Sequence, residues 1–204
     1  MAKGMEIIKQ ETNRSCGIAC LRSVANYYGV KLSEKDIFDK HEFYNSERSV
    51  LSPIITLGLT SLKLGLKTKY IGYNPVIANQ TNDNLKMSLE AKSSRYKDMW
   101  KFYVDKTLEF MKLGGEVVID RLNISKLENI INENNFVIAG IRPAFMSENN
   151  HITNMHHKVI LDGYDKAKNS FHVLDPVGRK YDANADNFLM AFYQALPEVL
   201  VIKK

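Results

Sequence analysis

Two apolar runs near the end of the chain, "HKVILDGYD" and "SFHVLDPVG", are separated by nothing longer than the turn "DKAKN". A loop that short joins antiparallel neighbours, so this pair must form a β-hairpin. The start of one strand then faces the end of the next. Centring the turn on Ala167 sets His157 across from Asp175, with Pro176 ending the second strand. A histidine and a carboxylate are thereby predicted to be cross-strand neighbours. His157 also shares a strand face with Val159 and Leu161, which favours it over the adjacent His156 as the partner of Asp175.

The remaining elements follow from periodicity and punctuation. "CGIACLRSVANYYG" has Ile18, Leu21, Ala25 and Tyr28 at helical spacing, with Asn13 or Ser15 as cap and Gly29 as stop. A second helix opens at Ser33. A third opens at "SP", with Ser52 as cap and Pro53 in the first turn, and ends at Gly65. "LKTKYIGY" reads as a strand and residues 75–84 as loop. Asn84 to Leu113 reads as one long amphipathic helix carrying Trp100, Tyr103, Val104, Leu108 and Met111 near one face. "EVVID" is a strand, Ser125 opens a helix, and "FVIAGIRP" is an apolar strand ended by Pro143. "DNFLMAFYQA" is helical and "EVLVIKK" a closing strand. Helices first and mainly antiparallel strands later predict an α+β fold.

Both cysteines lie in "QETNRSCGIACL". Cys16 sits at a helix N-terminus, where unpaired N–H groups and the helix dipole favour a thiolate. Gly17 beside it is read as leaving space at the sulfur. A small buried packing residue is the competing reading of Cys16. The spacing to Cys20 is C-x3-C, not that of a redox pair, and His156 and His157 point to opposite faces of a strand, so no metal site is expected. Cys20, one turn on, is read as helix core. A nucleophilic thiolate needs a base and an orienter for it, and His157 with Asp175 supplies both types. Gln10, on the lead-in to the helix, could place its amide beside the sulfur and, with the Cys16 N–H, form an oxyanion hole. His41, His151, His156 and His172 have no such pairing and are read as structural or solvated.

Composition excludes several classes. The net charge of +5 is spread along the chain without a basic run, so no nucleic-acid partner is expected. No apolar run approaches the roughly 18 residues of a membrane span. The N-terminus has no secretory pattern, and two cysteines in 204 residues fit reduced thiols in a cytoplasmic protein. No cofactor is expected, and the oligomeric state is left open.

Taken together, these residues resemble a known family. Gln10, five residues, "CGIACL" and then "VANYYGVKLSEKDI" resemble the N-terminal motif of the C39-type and C39-like papain-like cysteine peptidases. "ISKLENIINENNFVIAGIRP", "HKVILDGYD", "FHVLDPVGRKY", "DNFLMAFY" and the final apolar strand resemble its second half. The resemblance covers roughly residues 6–75 and 116–204. It implies a papain-like domain over residues 1–204, with the cysteine helix packed on an antiparallel sheet. It implies Cys16 as nucleophile, His157 as base and acid, Asp175 as its orienter and Gln10 as oxyanion donor. The chain departs from the pattern at Ser15, where the family often has Asp, and in residues 76–115, which have no counterpart and are read as a helical insertion, either packing or capping the cleft. With no transporter segment in the chain, a stand-alone form is expected.

The function so implied is hydrolysis of a peptide or small amide through an acyl-thioester on Cys16. An acyl- or aminoacyl-transferase would use the same residues, and a peptide-binding module without catalysis is a further alternative.

Overall fold

The computed structural model describes residues 4–46, 49–78, 80–146 and 155–203. Helix α1 (Cys16–Tyr27) begins at the first cysteine. Helix α2 (Glu34–Phe38) opens on a capping box, in which the Ser33 hydroxyl accepts the Asp36 N–H and the Asp36 carboxylate accepts the Ser33 N–H. A small hairpin of β1 (Tyr44–Ser46) and β2 (Ser49–Leu51) follows. Helix α3 (Ile54–Lys63) starts one residue later than expected. Pro53 is its cap residue, because the Ser52 hydroxyl is bonded to His41 Nε2 at 2.8 Å instead of capping.

Strand β3 (Lys67–Gly72) leads to α4 (Leu85–Lys92), α5 (Asp98–Lys112) and β4 (Glu116–Ile119). The single helix expected over 84–113 is therefore two. The chain turns at Ser93–Arg95, and Asp98 takes φ +50°, a conformation no helix interior accommodates. Both pieces are core-forming: Leu85, Leu89, Tyr103, Val104 and Phe110 are buried in the same cluster as α1 and α3. Helix α6 (Ile124–Asn132) is capped by Asn123, which accepts the Lys126 N–H at 2.9 Å, so it opens before Ser125. Then come β5 (Phe136–Ile141), β6 (His157–Asp165), β7 (Ser170–Asp175), β8 (Arg179–Asn184), α7 (Ala185–Tyr193) and β9 (Glu198–Lys203).

Seven strands form one sheet in the order β4-β3-β9-β5-β6-β7-β8. Every neighbouring pair is antiparallel except β3 and β4. The central strands are buried on both faces, which explains why "FVIAGI" and "EVLVI" show no polar alternation. Phe136, Ile138, Ile160 and Leu200 pack with α1, α3, α4 and α5 on one side. Val137, Val159, Leu161 and Val173 pack with Phe188 and Phe192 of α7 and Leu127 of α6 on the other. The helices thus cover both faces, and strand β3 brings the first half of the chain into the sheet.

Candidate active site

The site is assembled where the N-terminus of α1 meets the start of β6. No side chain caps α1: the Ser15 hydroxyl turns back to Thr12, accepting its N–H and donating to its carbonyl. The first-turn N–H groups of α1 are left to act on whatever lies beside Cys16. Gly17 has a different role from the open space expected of it. It is buried, and a Cβ there would stand 2.8 Å from Leu57 Cδ1 and 2.9 Å from Lys158 Cδ. Its missing side chain lets α1, α3 and β6 approach closely.

Cys16 lies beside His157 and the backbone N–H of Lys158, both of which act on its sulfur. Burial alone would push the Cys16 thiol up. The His157 hydrogen bond, the Lys158 and His157 charges and the Lys158 N–H outweigh it, and the thiol is lowered to about 7. His157 Nε2 lies 2.8 Å from Asp175 Oδ1, which leaves Nδ1 as the nitrogen for Cys16. Burial opposes the imidazolium, but bonds to Asp175 and Cys16 raise it to about 9. Between these two values the pair is a thiolate and an imidazolium. Asp175 also accepts the Val177 N–H at 3.0 Å; burial works against its carboxylate, but the His157 bond and charge hold it below its ordinary range. Tyr181, on the edge strand β8, is pushed up chiefly by burial and then by the Asp175 charge.

Three of the four expected residues are therefore brought together, His157 bonded to Asp175 and lying beside Cys16. Gln10 adjoins them: its backbone N–H donates to the Pro176 carbonyl at 2.7 Å, directly after Asp175. Its side-chain amide donates to Thr12 O at 2.8 Å, and its Oε1 is buried without a partner among the described residues. Cys20 is fully buried, its thiol pushed well up by burial, and it donates to the Lys158 carbonyl at 3.5 Å.

The other histidines separate clearly. His156 faces Arg142 Nη2 at 3.3 Å and is pushed down by burial. His41 is buried among Thr60, Ser52 and Thr56 hydroxyls and pushed down to about 3, chiefly by burial. His172 does have a partner: it pairs with Asp182 of β8, directly across the ladder. That partner escaped the sequence because "RKYDAN" has no apolar alternation to mark it as a strand. His151 lies outside the described residues.

A cleft of about 350 Å³ opens beside His157, and Asp175 does not line it. Residues 51–54, 156–158 and 194–196, with Gly140, Arg142 and Glu198, contribute to it, together with Met99, Trp100 and Tyr103 of α5. On the cleft wall Glu198 is buried and accepts from Tyr70 and Tyr103 hydroxyls; Tyr70 in turn accepts from Asn74 at 2.8 Å. Burial, outweighing these bonds, raises the Glu198 carboxyl to about 8. Sequence reading missed this residue because a glutamate opening a strand looks solvent-facing. Among the described residues no cluster suits a metal ion, and no helix is long and apolar enough to cross a membrane.

A mixed fold of helices on an antiparallel-rich seven-stranded sheet matches the folds of C39-like peptidases. The chain belongs to the Peptidase_C39 like family, whose model matches residues 3–199. Among solved structures it is similar to a C39-like peptidase from Bacillus anthracis, at 14% identity and a TM-score of 0.61 over 98% of this chain and 95% of that one. It is similar to a double glycine motif protease from an AMS/PCAT transporter, solved with a leader peptide, at 13% identity and a TM-score of 0.52 over 99% and 93% of the two chains. The peptidase domain of Streptococcus ComA, a bifunctional ABC transporter of a quorum-sensing pathway, gives 13% identity and a TM-score of 0.50, covering 97% of each chain. No curated protein matches it.

Proposed function

We propose that this protein is a cysteine peptidase-type hydrolase in which Cys16 is the nucleophile, His157 the base and acid, Asp175 the orienter and Gln10 an oxyanion donor. The observation that carries this reading is the row Cys16–His157–Asp175, with the thiol lowered and the imidazole raised. In the first step the Cys16 thiolate adds to an amide carbonyl. The oxyanion is met by the Cys16 N–H at the uncapped start of α1 and by a Gln10 amide N–H. His157 gives its Nδ1 proton to the leaving amine as the C–N bond breaks, leaving a thioester on Cys16. His157, now neutral, takes a proton from water as that water adds to the thioester carbonyl. The acid departs and the thiolate–imidazolium pair is restored.

The substrate is read as a peptide or small amide, and the reaction as taking place in the cytoplasm. The test is to mix the protein with benzyloxycarbonyl-glycine p-nitrophenyl ester and weigh it intact, then map the adduct. The expected result is one acyl group on Cys16 that decays in water to the free acid and is absent from Cys16→Ala. An adduct on Cys20 or on lysine, or one that persists in Cys16→Ala, would overturn the reading. Adding amines during the decay separates hydrolysis from acyl transfer by product mass.

A further inference from the structure

We propose that Glu34 is the positioning residue of the oxyanion donor: its buried carboxyl fixes the peptide that follows Gln10, and so aims the Gln10 amide. The inference rests on the proposed role of Gln10 and adds a residue, on a different helix from Cys16, through which that role is set.

Two rigid peptide planes meet at each Cα, and where both are fixed the direction of the side chain is fixed with them. At Gln10 both are held. The plane before it is held by the Gln10 N–H, which donates to the Pro176 carbonyl at 2.7 Å. The plane after it is held by the Glu11 N–H, which donates to Glu34 Oε2 at 3.1 Å. The first bond ties Gln10 to the residue after Asp175, the second to the first residue of α2. Further out, the Gln10 amide gives one hydrogen to Thr12 O at 2.8 Å. Its second hydrogen is the one available to an oxyanion. Thr12 in turn is bonded to Ser15, the residue before Cys16, through its N–H and its carbonyl. Donor and nucleophile thus lie on one bonded segment, and Glu34 anchors that segment to α2.

Packing does not explain a glutamate at this position. Glu34 is 2% exposed, and its Oε1 is buried without a partner among the described residues. An unpartnered buried oxygen destabilises a fold, and an apolar side chain of similar size would carry no such cost. The bond to the Glu11 N–H is what the carboxyl supplies in return. The other tie on Glu11 is weaker: its carboxylate meets Arg22 at 2.8 Å, but that side chain is 60% exposed, and ion pairs in water hold a backbone poorly.

The experiment compares two reactions of Cys16. Single-turnover release of p-nitrophenol from benzyloxycarbonyl-glycine p-nitrophenyl ester passes through an oxyanion; alkylation by iodoacetamide does not. Gln10→Ala should slow acylation about a hundredfold or more. Glu34→Leu keeps the buried volume and removes the acceptor, and Glu34→Ala removes both. Each should slow acylation at saturating ester about tenfold or more, with the half-saturating ester concentration and the alkylation rate unchanged. Glu34→Gln, whose amide oxygen can accept the Glu11 N–H, should restore most of the acylation rate. In a Gln10→Ala background neither Glu34→Leu nor Glu34→Ala should slow acylation further, because there is no amide left to aim.

Slowing by the same factor with and without the Gln10 amide, alkylation slowed as much as acylation, or Glu34→Gln as slow as Glu34→Leu would overturn the proposal. Gln10→Ala by itself separates this from failure of the underlying reading. If it slows acylation while the Glu34 variants acylate at the unmodified rate, the Glu34 assignment alone is wrong. If it acylates at the unmodified rate, Gln10 is not the oxyanion donor and Glu34 has nothing to position.

Discussion

His157 and Asp175 meet at 2.8 Å although they do not stand directly opposite each other. Ile160 pairs with Leu174, so the same register continued sets Asp175 across from Val159, two residues past His157. A bulge between Leu161 and Gly163 shifts the ladder by one residue relative to the turn. The two side chains are diagonal neighbours on one face, a separation that a histidine and a carboxylate can bridge.

That contact should set the reactivity of Cys16. The Asp175 carboxylate favours the imidazolium, and the imidazolium favours the thiolate. Asp175→Ala should therefore lower the His157 value from about 9 and raise that of Cys16 from about 7. At pH 6 each unit of rise in the thiol removes about nine-tenths of the thiolate, so alkylation by iodoacetamide should fall about tenfold per unit. Asp175→Asn keeps an acceptor without the charge and should fall between. Equal alkylation rates in all three proteins would show that Asp175 does not tune the pair.

The same pair gives two different pH profiles. Below about 7 Cys16 becomes protonated, so both alkylation and amide hydrolysis should decline on the acid side. Above about 9 His157 loses the proton it must give to the leaving amine. Hydrolysis should then decline while alkylation, which needs no proton donor, stays at its plateau. Cys20, buried and pushed up, should remain unlabelled on the time scale of Cys16 throughout. Stopped-time alkylation with peptide mapping measures all of this; matching alkaline limbs for the two reactions would contradict the acid role of His157.

Much of this site could be read from the chain because its parts are locally encoded. A four-residue turn fixed the partner strands of His157 and Asp175, and a helix start fixed the exposure of Cys16 to N–H groups. The bulge was not legible, since one extra residue leaves the apolar pattern on either side intact. Choosing His157 by its face with Val159 and Leu161 used a property that does not join it to Cys16: that face packs on α7, and the ring reaches α1 because it is the strand's first residue. The break before α5 was hidden because both helices carry apolar residues at compatible spacing, while the turn at Ser93–Arg95, the extended Tyr96 and Lys97 and the positive φ of Asp98 that separate them leave no mark on that pattern. The cleft was invisible for another reason. Its walls come from five distant segments, and no local pattern marks Trp100, Arg142 and Glu198 as neighbours.

Gly17 tests the packing beneath the site. In Gly17→Ala the new methyl would meet Leu57, which is fully buried, and Lys158, whose stem can move. Overpacking of this kind costs about 1–3 kcal/mol, against a gain of helix propensity of no more than about 1 kcal/mol. The net expectation is a lower urea midpoint with an unchanged m-value. Because Lys158 also presents its N–H to Cys16, displacement of β6 should slow alkylation as well. A variant as stable and as reactive as the unmodified protein would show that the contact between α1 and β6 has slack.

Glu198 makes the stability of the whole domain depend on pH. Its carboxyl titrates at about 8 in the fold against an ordinary 4.5, so between these values the folded chain holds a proton that the unfolded chain has released. Stability must then fall as pH rises across that window, because the unfolded state binds fewer protons. Glu198→Gln keeps an oxygen to accept from Tyr70 and Tyr103 but has nothing to titrate. The variant should gain on the unmodified protein steadily from about pH 5 to about pH 8, and the gain should level off above that. Thermal melts at each pH unit measure the difference. A constant offset between the two proteins across the window would mean that Glu198 is ionised in the fold at neutral pH, balanced by the hydroxyls around it.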